Sequence, residues 1–148
     1  MAAMRTIQVR RTLRAPADRV FDVLADHAGY AKFEGVRSAR VVRPGASEPN
    51  GVGAIREIRI GSARFEEEIT VFERPTRLEY RIVRSRPPLV HELGRLTFAA
   101  VPDGVHVTWT STFHVAIPVI GGLATGIAAR QMERAFAATL EVAERLAR

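Results

Sequence analysis

The chain has 148 residues, 47% of them hydrophobic, a formal net charge of +6 at pH 7 and no cysteine, which predicts a single domain, 1–148, and excludes disulfides, thiolate catalysis and cysteine-based zinc sites. No run approaches the roughly 18 apolar residues of a membrane span, and Met1–Arg14 lacks the apolar block of a signal peptide, so we expect no membrane span and a cytoplasmic location. The arginines are scattered among acidic residues rather than clustered, and this argues against nucleic acid as an anionic partner.

The first part of the chain is predicted to form a strand, two short helices and a second strand. Arg5–Arg14 alternates apolar and polar residues, as a half-buried strand does. Pro16 suits the first turn of a helix, which we expect to continue to about Asp26. Tyr30–Phe33 indicates a second short helical turn, and Val36–Val42 indicates the second strand.

The middle of the chain is predicted to form five strands joined by short turns that contain glycine or proline. Connections of this length make neighbouring strands antiparallel, and an antiparallel sheet commonly keeps one face for the core. The predicted strands are Val52–Ile60, Arg64–Glu73, Arg77–Arg84, Val90–Ala100 and Val105–Val115.

The last segment, Val119–Arg148, is predicted to form one long amphipathic helix because its apolar residues recur at helical spacing. Its predicted apolar stripe consists of Leu123, Ile127, Met132, Phe136, Leu140, Ala143 and Leu146. A sheet and a helix that are each apolar on one side must cover each other. The sequence therefore predicts an α+β fold, in which a curved antiparallel sheet of about seven strands wraps around the C-terminal helix.

Several polar residues share strand parity with residues of the predicted apolar face. They are Glu67, Arg84, Glu92 and Ser111. Buried charges are costly unless they are paired or hydrated, so this set indicates a wet pocket or ion pairs within it. The alternative is that each residue lies near a strand end and reaches solvent.

Aromatic residues on the same faces can form the walls of such a pocket or can simply fill the core. We place the pocket between the sheet and the first half of the helix. The full set of candidate ligand-binding residues is Glu67, Tyr80, Arg84, Glu92, Trp109, Ser111, Phe113, Leu123, Ile127, Met132 and Phe136.

No motif for a metal, a cofactor or a catalytic residue stands out. His106 and His114 lie on one strand face but eight residues apart, and at about 3.3 Å per residue they cannot share a metal. His27 and His91 are isolated in sequence. Gly51-Val52-Gly53 precedes a strand, whereas a dinucleotide-binding fingerprint precedes a helix. We therefore expect neither a metal nor a cofactor, and the catalytic residues, if any, are unknown.

Five segments in this order and spacing resemble the polyketide cyclase/dehydrase-like proteins of the START-like (SRPBCC) superfamily. They are Ala15–Phe21 with Asp26, Gly51–Gly53, Glu68–Leu78, Asp103–Trp109 and the closing helix. The resemblance implies the helix-grip fold and a cavity for a lipid, steroid, polyketide or quinone, and it implies catalysis for a minority of members. Phe33 departs from the pattern, because tryptophan is common there in relatives.

Three functional hypotheses follow. The first is that the chain binds a hydrophobic small molecule of lipid, polyketide or isoprenoid type, oriented by the polar residues named above. The second, implied by the resemblance, is a polyketide cyclase or dehydrase, in which Arg84 stabilises an enolate and Glu67 or Glu92 moves a proton. The third is an interaction module that uses a sheet edge or the basic surface. We expect a monomer or a homodimer.

Overall fold

A computed structural model describes residues 3–148 of the chain. In these residues seven strands, two α-helices and one 3-10 helix follow one another. Their bounds are β1 (Arg5–Leu13), α1 (Ala17–Ala25), the 3-10 helix (His27–Lys32), β2 (Val36–Arg43), β3 (Ile55–Ile60), β4 (Ala63–Glu73), β5 (Arg77–Arg86), β6 (Leu89–Val101), β7 (Gly104–Val115) and α2 (Gly121–Ala147).

All seven strands form one antiparallel sheet in the order β1-β7-β6-β5-β4-β3-β2. Strands β2 to β7 are neighbours in sequence and in space, as their short connections predict. Helix α1 and the 3-10 helix carry the chain from β1 at one edge to β2 at the other. The prediction of an α+β fold of the helix-grip type, with a long C-terminal helix against the sheet, is confirmed.

The fold has two distinguishable ends. Phe21 of α1 packs edge-to-face against Phe72 and Phe98, with ring centroids 5.2 Å apart in both pairs. These rings fill the end of the sheet at which β4 and β6 finish. The opposite end, where β3 and β7 finish, has no comparable aromatic cluster within the described residues, and a pocket lined by Ile60, Leu89 and Val115 opens there.

Two predicted boundaries differ from the structure for a backbone reason. Val52 and Gly53 belong to a turn, β3 begins only at Ile55, and Gly53 has a φ of 91°, which an extended strand does not allow. Val119 has a φ of 70°, so α2 begins only at Gly121.

The buried stripe of α2 differs from the predicted one. Its fully buried residues are Gly121, Thr125, Ala129, Leu140, Ala143 and Ala147, with Met132 and Phe136 partly buried between them. The prediction that Leu123, Ile127 and Leu146 face the sheet is wrong, because their side chains are 71%, 52% and 51% exposed. Small residues form the contact face in the first half of α2, where large ones were expected. They let the helix approach the sheet closely.

Candidate functional site

Two adjoining pockets lie between the sheet and α2. The outer pocket, of about 230 Å³, opens between the β3–β4 turn, the β5–β6 turn and α2, and Gln131 is the one residue with a polar side chain in its lining. The inner pocket, of about 80 Å³, lies deeper, between the 3-10 helix, the sheet and α2. Both are lined by Ile60, Phe65 and Ala135, so the two pockets adjoin along this shared wall.

A buried arginine forms the polar wall of the inner pocket. Arg56 of β3 is 1% exposed, and its Nε donates a hydrogen bond of 2.8 Å to Oε1 of Glu67 on β4. Its guanidinium carbon lies 4.7 Å from the ring centroid of Tyr30 and 5.1 Å from that of Tyr80. One ion pair and two cation–π contacts thus hold a positive charge beside an apolar space.

A neutral histidine completes the contacts of Arg56. Burial, reinforced by the charge of Arg56, lowers the pKa of His27 to about 3. Nδ1 of the neutral ring accepts a hydrogen bond of 3.0 Å from Nη1 of Arg56. Its Nε2 therefore carries the proton and donates to the backbone oxygen of Asn50 over 2.9 Å. For Arg56 itself, burial opposes the charged form, but Tyr30 and Glu67 outweigh it and raise the pKa.

Tyr80 presents a protonated phenol on the same wall. Its oxygen accepts a hydrogen bond of 3.1 Å from Nε1 of Trp109. Burial, followed by the negative charge of Glu67, raises the pKa of Tyr80 far above its ordinary value. A side chain on Gly94 of the neighbouring strand would clash with the Tyr80 ring, so glycine is required there. The phenol is consequently fixed in place and stays protonated.

A second buried histidine supports Tyr80 from behind. The His91 ring stacks on the Tyr80 ring at 5.6 Å with an interplanar angle of 15°. Nδ1 of His91 accepts from the backbone N–H of Ile82 over 3.0 Å, so Nε2 donates to the hydroxyl of Ser111 over 3.2 Å. Burial, followed by the charge of Arg81, lowers the pKa of His91 to about 4. This histidine therefore has a structural role in positioning Tyr80.

Comparison with known proteins agrees with this geometry. The model of the family described as polyketide cyclase/dehydrase and lipid transport matches residues 4–148. The chain belongs to this family. No curated protein matches its sequence.

Solved structures with the same fold are distant in sequence from this chain. The aromatase/cyclase Zhui from Streptomyces sp. R1128 superposes with a TM-score of 0.82 at 20% identity, over 98% of this chain and 94% of the other. A START superfamily protein from Mycobacterium smegmatis gives 0.76 at 13% identity, over 97% and 98%. The protein TTHA0849 from Thermus thermophilus gives 0.76 at 19% identity, over 97% of both chains. These likenesses establish the fold.

Five of the eleven predicted site residues, three on the sheet and two on α2, line the two pockets between the sheet and α2. Glu67, Tyr80, Trp109 and Phe136 line the inner pocket, and Met132 lines the outer one. The Trp109 and Phe136 rings stack with centroids 3.9 Å apart. Two further predicted residues, Ser111 and Phe113, are buried behind this wall and do not line either pocket.

The predicted inward orientation of Arg84 and Glu92 is wrong, because each strand carries a bulge. On β5, Ile82 pairs with Glu67 but Arg84 pairs with Glu66, so Val83 is an extra residue that reverses the alternation. On β6, His91 pairs with Phe113 and Leu93 with Thr112, so Glu92 is the extra residue. Arg84 and Glu92 are both exposed, and Arg84 forms an outer ion pair of 3.7 Å with Glu66.

The helix residues Leu123 and Ile127 do not line either pocket between sheet and helix. They lie on the outer side of α2, in a separate groove of about 370 Å³.

Sequence reasoning missed four residues of the site: His27, Tyr30, Arg56 and His91. Strict alternation on β3 places Arg56 on the face of Ala54 and Ile58, both buried, so the signal was present. His27 and Tyr30 belong to the 3-10 helix, a segment too short to show a periodic pattern.

Within residues 3–148, no group of three or more His, Asp or Glu side chains is arranged to hold a metal ion. The helices of the same residues include none with the length and hydropathy needed to cross a bilayer.

Proposed function

We propose that this chain binds a compact hydrophobic molecule with a polar end, of lipid, polyketide or isoprenoid type, in the outer and inner pockets. The observation that carries the proposal is a buried guanidinium, Arg56, in the wall of the inner pocket. An apolar ligand body gains roughly 25 cal/mol per Å² on burial, while a few polar groups fix its orientation.

The polar end of the ligand has a defined partner. Arg56 keeps N–H groups beyond those bonded to Glu67 and His27. A carbonyl, hydroxyl or carboxyl oxygen of the ligand is the group that these N–H groups select. The two pockets are small beside the roughly 300–1,000 Å³ of typical ligand sites, which favours a compact ligand.

Blocking the junction of the two pockets tests the proposal. Ala135 borders both pockets and is exposed, so Ala135→Trp fills their junction without disturbing the core. The matched control is Ala138→Trp, which lies in a groove facing Arg11 and Arg134 on another side of α2. Titration with a fluorescent lipophile should saturate for the native chain and for Ala138→Trp, but not for Ala135→Trp. Equal binding by all three proteins would contradict the placement.

The alternative function is that of a cyclase or dehydrase, and one observation favours it. The charged Arg56 and the protonated Tyr80 face the same inner pocket, with the guanidinium carbon 5.1 Å from the Tyr80 ring. Arg56 thereby takes the role that Arg84 was expected to have, stabilisation of an enolate oxygen. The Tyr80 phenol can donate a hydrogen bond to a second carbonyl.

The enzyme proposal is tested with a poly-β-ketone thioester. If the reaction occurs, Tyr80→Phe should lower kcat by about 100-fold while the Kd of the substrate changes little. Saturable binding with no turnover by the native chain would contradict the enzyme proposal and support binding only.

Two further proposals concern the oligomeric state and the location of the chain. We expect the chain to be a monomer or a homodimer, which chromatography with light scattering checks. We also expect a cytoplasmic location, which fractionation of the source cells checks.

A further inference from the structure

The N-terminal end of α2 exposes a cluster of aliphatic side chains, here named the α2 tip: Val119, Ile120, Leu123 and Ile127. Their side chains are 103%, 53%, 71% and 52% exposed, in that order. Ile120, Leu123 and Ile127 follow one another at helical spacing and so share one face. Single exposed apolar residues are ordinary, but a contiguous protruding set marks an interaction site.

Val119 adds an independent observation. It is a β-branched residue with a φ of 70°, a conformation that is costly for such a side chain. Its complete exposure means that no packing within the described fold offsets that cost. The backbone at Val119 thus holds a β-branched apolar side chain in solvent, next to the exposed residues of the helix.

Two arginines border part of the α2 tip. Leu123 and Ile127 form the groove of about 370 Å³ together with Arg5, Arg130 and two glycines. Among the residues that the structure describes, neither arginine has a carboxylate within 4 Å. The segment 116–130 contains no acidic residue at all. The surface is therefore apolar at its centre and cationic along part of its margin.

The α2 tip and the outer pocket involve successive turns of the same helix, on different faces. The next turns of the same helix contribute Ala128 and Met132 to that pocket. The segment before the helix is held against the β5–β6 turn, because the N–H of Ala116 donates to the oxygen of Pro88 over 2.9 Å.

We propose that the α2 tip docks on the surface of an anionic phospholipid bilayer. Val119, Ile120 and Leu123 insert between the acyl chains, while Arg5 and Arg130 contact lipid phosphates. Docking brings α2, which also lines the outer pocket, to the bilayer surface, where a hydrophobic ligand resides, and in this respect the inference rests on the proposed function.

The shape and charge of the α2 tip favour a bilayer over other partners. A protruding set of aliphatic side chains needs a partner that deforms around it, whereas a protein partner needs a matching cavity. A second copy of a chain with net charge +6 would place like charges together. The arginine margin selects anionic over neutral lipid.

Vesicle flotation tests the proposal, with phosphatidylcholine vesicles compared with mixed phosphatidylcholine and phosphatidylglycerol vesicles. The native chain should bind the mixed vesicles more tightly, and added salt should weaken this preference. Val119→Asn with Leu123→Ser should lower partitioning at least about tenfold. Arg5→Gln with Arg130→Gln should abolish the preference for phosphatidylglycerol. The matched control, Val52→Asn with Val101→Ser, alters exposed valines at the other end of the sheet and should bind normally.

Four results would overturn the docking proposal. The first is no binding of the native chain to mixed vesicles, and the second is an equal loss of vesicle binding in the control variant. The third is charge-dependent binding to heparin while the two aliphatic substitutions leave vesicle binding unaffected. The fourth is a dimer of the native chain that dissociates in the aliphatic variant. Lipophile titration of the aliphatic variant without vesicles should match the native chain. Loss of docking with this binding intact separates a failure of the inference from a failure of the proposed function.

Discussion

The ion pair between Arg56 and Glu67 is the most consequential single interaction in the interior. Both charges are largely removed from water, with side chains 1% and 11% exposed. A buried pair contributes little net stability compared with apolar residues, but removal of one partner leaves an unpaired buried charge. The pair is therefore better explained by the binding of a polar ligand group than by stability.

The expected energetic signature of this pair is strong coupling. Glu67→Leu alone should lower the free energy of unfolding by about 3–5 kcal/mol, because Arg56 is left buried without its carboxylate. Arg56→Met with Glu67→Leu should be less destabilised than Glu67→Leu alone, while losing affinity for the polar end of the ligand. Urea unfolding of both single variants and the double variant measures the coupling. Additive losses would show that the pair does not act as a unit.

The two buried histidines predict how stability depends on pH. Their folded pKa values, about 3 for His27 and about 4 for His91, lie below the ordinary value of 6.5. Between about pH 4 and 6.5 the unfolded chain binds more protons, so the free energy of unfolding falls as pH decreases. Each histidine contributes a slope of about 1.4 kcal/mol per pH unit in that window.

Denaturant unfolding at a series of pH values measures this slope. His91→Gln should reduce it by about 1.4 kcal/mol per pH unit, since one of the two protons is removed. Thr108→Val is the matched control, because Thr108 lies on the outer face of β7 and carries no titratable group, so the slope should be unchanged. An unchanged slope in His91→Gln would contradict the neutral buried ring.

The outcomes for single residues show what alternation can predict. It correctly places Glu67, Tyr80 and Trp109 on the inner face, and applied to β3 it also finds Arg56. It fails for Arg84, because the inserted Val83 reverses the facing of the residue that follows it, and for Glu92, because Glu92 is itself the inserted residue. The bulges depend on pairing with neighbouring strands, which a single strand sequence does not reveal.

At the scale of the elements, the side chain of Thr125 anchors the first turn of α2 to the end of β7. Thr125 Oγ1 donates to the oxygen of Gly121 and accepts from the N–H of Val115 over 2.9 Å, so it ties the helix to the end of β7. Thr125→Val leaves that buried N–H without a partner and should cost about 1–3 kcal/mol. Hydrogen exchange at Val115 should accelerate, whereas Thr70→Val, at an exposed position, should change neither quantity. Normal protection of Val115 would contradict this role.

The same helix shows why amphipathicity alone misplaced a surface. Leu123 and Ile127 are more hydrophobic than Ala129 and Thr125, so the largest residues suggested the wrong contact face. Close packing is decided by shape as well as hydrophobicity, and small side chains allow the helix to approach β7 and β1. The large residues that this leaves outside are those of the α2 tip.

For the molecule as a whole, the order of elements was predictable because each strand has turn residues at its ends and α2 is long. The size of the interior space was not predictable, since it depends on how far the sheet curves and on which rotamers fill it. The position of the Phe136 side chain sets the size of the inner pocket. The Phe136 ring stacks on Trp109 at 3.9 Å and borders the inner pocket.

Removal of the Phe136 ring should lower the stability of the fold and enlarge the inner pocket. Phe136→Ala should lower the free energy of unfolding by about 3 kcal/mol and shift the preferred lipophile towards bulkier compounds, because the inner pocket gains the volume of the ring. Thermal unfolding with a size series of lipophiles at one concentration measures both effects, since a ligand that binds only the folded chain stabilises it more the lower its Kd. Phe98→Ala is the matched control, because it removes a buried ring at the closed end of the sheet and should cost similar stability without changing ligand preference. An unchanged size preference in Phe136→Ala would place the ligand elsewhere than beside α2.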